Sequence, residues 1–467
     1  MATNLYFSRD TRMFVQFRNS ADESADTVGT GSLWEIPILD GFSFSQSANT
    51  SEVTLSEMES GGVSRRGRKM FTDSLAPAEW SFSTYIRPFK AKATANIPAG
   101  VMKADAGSGN AWHLVDEVLW AHMLGADTYA SYDFTQSSNP IVSNTAFVKI
   151  DPSYTNVAAL TPITIYFLID EKTNDEPLLY KLPGSVVNEL SIDFDVEGIS
   201  TANWSGFAKE IIDISGSLKV NAGATPAVSG TNTNDGTAIA VGDFILDSSN
   251  AQGRALHMVL TTSATNVTSL QAIDEATTST KNFIRDRVSS IEVTASNTTI
   301  FPGGDGGTSG QYAIPLTGGS FTYANNITFL LPEELGSVNK PLEHITGTRT
   351  ITGGATCYLA LDTAYTSSAD KGTSRQFFND LTSTAAMSEI INKFEVVMHI
   401  GSTADDENNM KINMSNAHFE VPQHNIEDVI SLESSFHALP SDFSSADEIS
   451  SSVGGASPIE FDSIAVY

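Results

Sequence analysis

The residues best placed to do chemistry are two aspartates, Asp193 and Asp195, in the stretch NELSIDFDVEGI. They alternate along a predicted strand, so both side chains share one face of a sheet. Such a carboxylate pair can supply the acid and base of a hydrolase that acts on a host surface polymer. The same pair can equally face solvent or a channel, and this second interpretation is favoured.

The chain lacks the motifs that mark common catalytic and nucleotide sites. It contains no H-E-x-x-H, no G-x-x-x-x-G-K-[ST], no G-x-S-x-G, and no G-x-G-x-x-G after a strand. We therefore predict that the protein is not an enzyme, that it has no catalytic residues and that it needs no cofactor.

Two groups of residues are candidates for metal binding. The acidic turn STADDENN (402–409) offers the oxygen ligands that calcium takes, but it lacks the regular spacing of a dedicated loop, and a solvated hairpin tip is favoured. His418, His424 and His437 lie on or beside predicted strands, where we expect structural roles rather than metal ligation. The prediction is that there is no metal site.

One loop departs from the acidic character of the chain. GGVSRRGRKMFTDS (61–74) places Arg65, Arg66, Arg68 and Lys69 between predicted strands, with glycines beside them. An electrostatic arm that reaches carboxylates on a neighbouring subunit is favoured over a solubilising loop and over a nucleic-acid patch. These four residues and Phe71 are the predicted contact between subunits.

Composition limits the class of protein. The 467 residues allow two or three compact domains, and a net charge of -29 argues against a general phosphate-binding surface. A single cysteine, Cys357, excludes an intramolecular disulfide. The apolar runs are far shorter than the ~20 residues that cross a bilayer, so we expect a soluble protein with no membrane partner.

The elements that must position these residues are mostly strands. LWEIPILDGFSFSQ, EWSFSTYIRPF, PITIYFLID, NELSIDFDVEGI and KFEVVMHIG are short and rich in β-branched and aromatic residues. Two amphipathic helices are predicted. One carries Trp112, Val115, Leu119 and Met123 with Asn110 as its cap, and a shorter one begins after Thr373 or Ser374 and contains Phe377 and Leu381.

The chain contains an internal repeat. YFSRDTRMFVQF near the start and NFIRDRVSSIEV in the middle share F-x-R-D, with Phe7, Arg9 and Asp10 matching Phe283, Arg285 and Asp286. WEIPILDG matches YAIPLTGG, and DVEGISTANWSGFA (195–208) matches NIEDVISLESSFHA (425–438), in the same order. We predict a mainly β fold of two tandem β-sandwich domains, 1–213 and 281–440, each with a flanking α-helix and related by duplication.

Two segments fall outside the repeat. Residues 214–280 are small, polar and poor in aromatic residues, which predicts an insertion or linker, with DFILDSS and ALHMVLTT as a possible hairpin in a small β unit. Residues 441–467 are predicted to form an acidic C-terminal tail, since no Lys or Arg follows Lys411.

Five stretches carry a family resemblance: RRGRKMFTDSLAPAEWSFSTYIRPFK, NNITFLLPEELGSV, ITGTRTITGGATCYL, DVEGISTANWSG and DVISLESSFHALPSD. They resemble the tail tube proteins of long-tailed bacterial viruses, and look most similar to the duplicated type of T-five-like viruses. The resemblance runs from about residue 5 to about residue 450. It implies tail-tube β-sandwich domains and a trimer whose six domains imitate a hexamer.

The resemblance also implies partners and a location. Other copies of the chain would form rings that stack into a tube, in which the basic loop would link subunits or rings. Tape measure, tail terminator, and tail tip or baseplate proteins would join the tube, and viral DNA would pass through it without specific binding. The protein would be assembled in the host cytoplasm and reside in the virion tail. Some duplicated relatives continue into an immunoglobulin-like decoration domain, which we expect to be absent here or replaced by 214–280.

One alternative from another class stays open. A capsid decoration protein or surface adhesin is also β-rich and rich in Thr, Ser and Asn, and it would be a monomer or compact trimer that does not polymerise.

Overall fold

The computed structural model describes residues 6–17, 32–53, 59–60, 63–64, 69–90, 112–124, 148–150, 160, 162–169, 177–221, 240, 242–247, 255–262, 267–271, 283–303, 310–332, 339–360, 371–389, 392–401, 409–441 and 459–462. Strands dominate these residues, so the predicted mainly β class is confirmed. None of the helices in these ranges is long and apolar enough to cross a membrane.

The first part of the chain contains fifteen strands and one α-helix within the described residues. They are β1 (Thr11–Phe17), β2 (Ser32–Ile36), β3 (Ser43–Ser45), β4 (Ala48–Val53), β5 (Glu59–Ser60), β6 (Val63–Ser64), β7 (Lys69–Leu75), β8 (Ala78–Tyr85), β9 (Pro88–Lys90), β10 (Trp112–Leu114), α1 (Glu117–Met123), β11 (Val148–Ile150), β12 (Ile163–Ile169), β13 (Leu178–Asp195), β14 (Thr201–Ala208) and β15 (Ile212–Asp213).

Four strands follow in the middle of the chain, and eleven strands and a second α-helix in the last part. They are β16 (Leu218–Asn221), β17 (Phe244–Asp247), β18 (Ala255–Thr262), β19 (Val267–Gln271), β20 (Ser290–Ala295), β21 (Gln311–Ala313), β22 (Leu316–Ala324), β23 (Thr328–Phe329), β24 (His344–Ile345), β25 (Thr350–Tyr358), α2 (Ser374–Leu381), β26 (Phe394–Gly401), β27 (Asn409–Phe419), β28 (Gln423–Ile426), β29 (Ile430–Ala438) and β30 (Ile459–Asp462).

In the first part, the long strand β13 belongs to two layers. Its beginning pairs with β12, which pairs with β1 and then β2. Its end pairs with β14, which pairs with β8 and then β3. Gly184, at φ 61°, lies in β13 between the two layers, where a residue with a Cβ would be strained. The layers enclose a core, in which Phe44 of β3 stacks on Phe167 of β12 at a centroid distance of 4.7 Å.

The last part has the same strand order. β27 pairs with β26, which pairs with β20 and then β21. On the other side, β27 and β28 pair with β29, which pairs with β25 and then β22. Phe419 lies 5.3 Å from both Phe394 of β26 and Phe436 of β29, so aromatic rings fill the space between these layers.

The first predicted helix is wrong in its extent. Residues Trp112–Leu114 form strand β10, paired with Pro88–Lys90, and the helix begins only at Glu117. Asp116 precedes the helix but does not cap it with its side chain, because Thr84 donates a hydrogen bond of 2.8 Å to that carboxylate. The pairing partner is far away in the sequence, so the local spacing of apolar residues did not reveal it.

The second predicted helix is present as α2, and its predicted start is confirmed. Thr373 is the N-cap, and its hydroxyl accepts a hydrogen bond of 3.3 Å from the backbone N–H of Gln376. Phe377 and Leu381 are buried, and Phe377 packs against Tyr312 at 5.0 Å and against Phe419 at 5.1 Å.

The middle segment contains a four-stranded sheet in the order β16, β17, β18, β19. β17 and β18 pair antiparallel, so the expected hairpin forms. Phe244 of β17 lies 4.9 Å from Tyr166 of β12, so this small sheet packs on the first part of the chain. In the segment predicted as an acidic tail, β30 pairs with β27 and with β11.

In each part, an aromatic ring closely contacts a glycine on the next strand. Trp80 of β8 faces Gly206 of β14, and Phe436 of β29 faces Gly353 of β25. A Cβ on Gly206 would lie 2.3 Å from the Trp80 ring, and one on Gly353 would lie 2.2 Å from the Phe436 ring. The rings therefore fill the space that a side chain on either glycine would need.

We expect the substitution Gly206→Ala to lower the free energy of unfolding by about 1–3 kcal/mol, because the new methyl would also lie 2.1 Å from the Val186 carbonyl oxygen. Gly216→Ala is the matched control, since no heavy atom lies within 4 Å of a Cβ there, and a change below about 0.5 kcal/mol is expected. Denaturant unfolding measures both. Equal effects would show that the ring and the carbonyl can move aside.

Candidate functional surface

One antiparallel sheet runs through both parts of the chain. Its strand order is β3, β8, β14, β13, β22, β25, β29, β28. The two parts join where the end of β13 pairs with β22, from Glu189 opposite Ala324 to Asp195 opposite Gly318. We call this eight-stranded unit the central sheet.

The two faces of the central sheet differ sharply. One face is the core, with buried residues such as Trp80, Trp204, Ile192, Phe321 and Phe436. The opposite face, which we call the open face, carries small polar residues that lie in register across neighbouring strands. They are Ser43, Ser45, Ser81, Ser83, Ser191, Thr201, Asn203, Ser205, Ser320, Thr322, Thr350, Thr352, Thr356, Ser431, Ser435, Gln423 and Asn425.

The charged residues of the open face are acidic. Glu79, Glu189, Asp193, Asp195 and Glu433 lie on it, and all five are exposed. No Lys or Arg lies on this face within the eight strands as the structure describes them. His437 is the one histidine on this face of the described strands, and its Nε2 lies 3.2 Å from the Glu420 carboxylate. The open face therefore presents hydroxyl groups and negative charge.

Side chains on the open face hydrogen-bond to one another across the strands. Ser83 donates to the amide oxygen of Asn203 at 2.7 Å, and the Asn203 amide donates to Ser191 at 3.5 Å. Ser43 and Ser81 share a hydrogen bond of 2.9 Å. These hydrogen bonds join neighbouring strands of the open face through their side chains.

The repeat residue Asp286 lies at the junction of the two parts. Its carboxylate accepts hydrogen bonds from the Ser200 hydroxyl and, at 3.4 Å, from the backbone N–H of Asp195. Burial raises the pKa of Asp286, although these two hydrogen bonds act in the opposite direction. The backbone N–H of Asp286 donates to Gly198 at 3.2 Å, and the N–H of Ser200 donates to Ile284 at 2.9 Å. Asp286 thus holds the turn between β13 and β14.

The other repeat residues have different surroundings in the two parts. Phe283 packs edge-on against Tyr85 at 5.2 Å, and the guanidinium of Arg87 lies 5.1 Å from the centre of its ring. Arg285 forms an isolated antiparallel bridge with Ile199. Their counterparts near the start, Phe7, Arg9 and Asp10, lie on the surface, with Phe7 49% exposed.

The other sequence candidates are placed as follows. Asp193 and Asp195 share the open face, as the alternation predicted, and both are exposed. His424 packs edge-on against Phe378 at 4.4 Å, and His437 lies beside Glu420. No cluster of three potential metal ligands exists among the described residues. The acidic turn, apart from the backbone of Asn409, lies outside them.

The basic loop belongs to a hairpin arm. β4 pairs with β7 and β5 with β6, so residues 65–68 connect β6 to β7. Arg65, Arg66 and Arg68 lie outside the described residues, as does the side chain of Lys69. Met70 and Phe71 on β7 are 55% and 54% exposed, respectively. The N–H of Leu75, at the base of the arm, donates to Asn339 of the last part at 2.9 Å.

The sequence did not reveal the open face as a site. Its only signal was the alternation of Ser, Thr and Asn with aromatic residues in EWSFSTY and TANWSGF. That alternation predicts a strand with one buried and one exposed face. It does not predict that eight such strands join into a single surface.

No protein family model matches this chain. Tail tube protein pb6 of Escherichia phage T5 is 26% identical to it over 449 residues, which cover 95% of this chain and 75% of that protein. The chain is a homologue of this tail tube protein, and the resemblance predicted from the sequence is confirmed.

We expect Asp286→Ala to lower the free energy of unfolding of the unassembled protein by about 1–3 kcal/mol, because it leaves the buried Ser200 hydroxyl without its acceptor. Asp10→Ala changes the matching repeat position and is the control. Its contact with Arg9, at 3.9 Å, is partly exposed, so a change of at most about 1 kcal/mol is expected. Denaturant unfolding compares the two. A larger effect from Asp10→Ala would contradict this account of the junction.

Proposed function

We propose that this chain is the subunit of a phage tail tube, and that copies of it assemble into rings that stack around a channel for viral DNA. The similarity to the T5 tail tube protein over 95% of the chain supports the structural role. The observation that carries the ring is the central sheet, which spans both parts of the chain and which, in the described residues, ends in two strands that each have one unpaired edge.

The equal strand order of the first and last parts supports a duplication. In both, a short helical turn lies at the Arg-Asp of the repeat and precedes the first strand: Ser8–Asp10 ends with Asp10, and Asp286–Val288 begins with Asp286. An α-helix lies between equivalent strands, α1 after β8 and α2 after β25. We infer two tandem tail-tube domains, 1–213 and 281–440, with 214–280 as a small β unit inserted between them and 441–467 as a C-terminal extension.

The free edges of the central sheet support ring closure. In the described residues, β3 pairs only with β8, and β28 pairs only with β29. Exposed strand edges invite pairing with another chain, and closure into a barrel removes them. β28 of one copy would pair with β3 of the next, as β13 pairs with β22 inside the chain. Two domains per chain then give a six-domain ring from three chains.

The open face supports a channel lining for DNA. DNA carries one negative charge per ~1.7 Å of axis, and binding proteins grip it with Lys and Arg. The open face has exposed acids and, where the described strands pair with one another in the central sheet, no Lys or Arg; Lys181 lies in the part of β13 that pairs with β12. Like charge repels the phosphates. The wall would let DNA slide past without specific binding.

Other partners and the location follow from the tube role. A tube needs proteins that set its length, close it and connect it to the tip, so tape measure, terminator and tip or baseplate proteins are the proposed partners in the virion tail, with assembly in the host cytoplasm. Catalysis has no role in a conduit. A decoration protein or adhesin accounts less well for two unpaired edges at the ends of one sheet.

Electron microscopy of the purified protein tests the proposal. We expect tubes of stacked rings with three chains in each ring, with Glu79, Glu189 and Glu433 directed into the channel. A six-chain ring would contradict the duplicated ring. A channel lined mainly by Lys and Arg, or a protein that stays monomeric under all assembly conditions, would contradict the conduit.

A disulfide tests the closure of the sheet. In the repeat, Thr201 matches Ser431 and Ser205 matches Ser435. Asp193 pairs with Thr201 and Ser320, and Asn425 pairs with Ser431, so Asn425 occupies the sheet position of Asp193. Ser320 lies two strands from Ser435, and Ser43 lies two strands from Ser205. The register inside the chain therefore places Ser43 of one copy opposite Asn425 of another.

The double variant Ser43→Cys/Asn425→Cys is expected to form disulfides between copies, because antiparallel partners are ~4.5–5.5 Å apart at Cα. Burial raises the pKa of Cys357 to about 12, so it does not compete. Denaturing electrophoresis should show species of up to three chains. The control pair Ser43→Cys/Ser435→Cys lies one strand further away and should not cross-link. Cross-linking only in the control would place the edges in another arrangement.

We also propose that the arm docks on a neighbouring ring or subunit through Arg65, Arg66, Arg68, Lys69 and Phe71. The exposed Met70 and Phe71 and the Arg-rich segment support this role, because Arg forms bidentate bonds with carboxylates, which the acidic chain supplies in excess.

Replacement of Arg65, Arg66 and Arg68 together by Ser tests the arm. Tubes should become short or absent while the melting temperature of the unassembled protein stays unchanged, because exposed charges contribute little to folding. Arg375→Ser removes an exposed cation from α2 and is the control. Microscopy measures tube length. Tubes of normal length in the triple variant would leave the arm a solvated loop.

A further inference from the structure

Two aromatic residues that lie far apart in the sequence are about half exposed on the surface of the chain. Phe7 is 49% exposed near the start, and Tyr358 is 50% exposed at the end of β25. Beside Tyr358, the turn between β28 and β29 exposes Ile426 by 77% and Val429 by 59%. Large apolar side chains with this exposure in two separate places indicate surfaces that are covered in an assembly.

The interior of the chain shows how such residues pair. Phe283 packs edge-on against Tyr85 at 5.2 Å, and the segment that follows it joins the turn between β13 and β14 through the Ser200 N–H bond to Ile284. The segment that precedes β20 in the last part thus docks on the end of β8 and the β13–β14 turn of the first part.

Each member of this internal contact has a counterpart on the surface. Phe7 matches Phe283 in the F-x-R-D repeat. Tyr358 matches Tyr85 through their strand partners. Tyr85 pairs with Thr201, and Tyr358 pairs with Ser431. Thr201 and Ser431 match in the repeat, since each lies five residues after the matching residues Val196 and Ile426. Among the described residues, the segment at Phe7 and the surface at Tyr358 do not contact each other within one copy, and both aromatic side chains are about half exposed.

We propose that the N-terminal segment 6–10 of one copy docks on the last part of the next copy, with Phe7 packed edge-on against Tyr358 and beside the β28–β29 turn. This proposal rests on the proposed ring, and it adds the side chains that connect one chain to another. Phe7 has its own cation in this arrangement, since the Arg9 guanidinium lies 4.9 Å from the centre of the Phe7 ring.

The contact between copies cannot reproduce every internal bond. Ser200, which donates to Asp286, is replaced by Ile430, and Gly198 is replaced by Asp428. A Cβ on Gly198 would lie 2.6 Å from the Asp286 carboxylate. Asp10 therefore cannot take the position of Asp286 beside Asp428. Ile430, 39% exposed, provides an apolar contact instead, so the docking between copies depends on apolar side chains.

Serine substitutions at matched positions test the proposal. Phe7→Ser and Tyr358→Ser change residues that are about half exposed, so the melting temperature of the unassembled protein should stay within about 1 °C. The protein concentration needed for tube formation should rise about tenfold, because the exposed half of each aromatic side chain would be buried on docking. Phe283→Ser and Tyr85→Ser are the controls, and both should lower the melting temperature itself. Light scattering measures assembly, and calorimetry measures melting.

The double variant Phe7→Ser/Tyr358→Ser separates direct contact from independent effects. If the side chains of Phe7 and Tyr358 touch across copies, the double variant should assemble no worse than either single variant. Two results would overturn the docking and leave the tube intact, provided that the wild-type chain forms tubes. One is a Phe7→Ser variant that assembles at the wild-type concentration. The other is a double variant in which the increases in the concentration needed for assembly multiply. Failure of the wild-type chain to form tubes would overturn the tube and the docking together.

Discussion

The hydrogen bonding of strand edges is the constraint on which the rest of this structure depends. The backbone of every strand has two edges, and an unpaired edge is costly when buried and prone to association when exposed. Inside the chain, the end of β13 satisfies one edge of β22 and continues the sheet from the first part into the last. The same continuation leaves β3 and β28 as the outer strands of the central sheet, and each has one edge without a strand partner among the described residues.

The alternation of side chains along these strands serves two purposes at once. Trp80, Phe82 and Trp204 face the core and supply its apolar contacts, while Ser81, Ser83, Asn203 and Ser205 on the same strands face outward. Because register fixes which face each residue occupies, a shift by one residue would exchange the core for the polar surface. The stability of the core therefore maintains the polarity of the open face.

The sequence predicted much of the fold and part of the site. The strands, α2 with its Thr373 cap and the shared face of Asp193 and Asp195 followed from local pattern, because capping and alternation are properties of neighbouring residues. The extent of α1 was wrong because Trp112–Leu114 pairs with residues more than twenty positions earlier. The open face was missed for the same reason, since it exists only where β13 meets β22. The repeat indicated which residues matter at the junction, but not that Asp286 is buried there while Asp10 is not.

The difference between the two junctions has a physical rationale within the proposed ring. The internal junction joins segments of one chain, so their effective concentration is high and the contact forms once, during folding. It can therefore contain a buried carboxylate, Asp286, whose desolvation is offset in part by hydrogen bonds from Ser200 and Asp195. A junction between copies forms by encounter, and a carboxylate at Asp10 that approached Asp428 without such donors would slow or oppose it. Apolar residues such as Phe7, Tyr358 and Ile430 suit a contact that must first form between separate molecules, because they need no exact hydrogen-bond geometry.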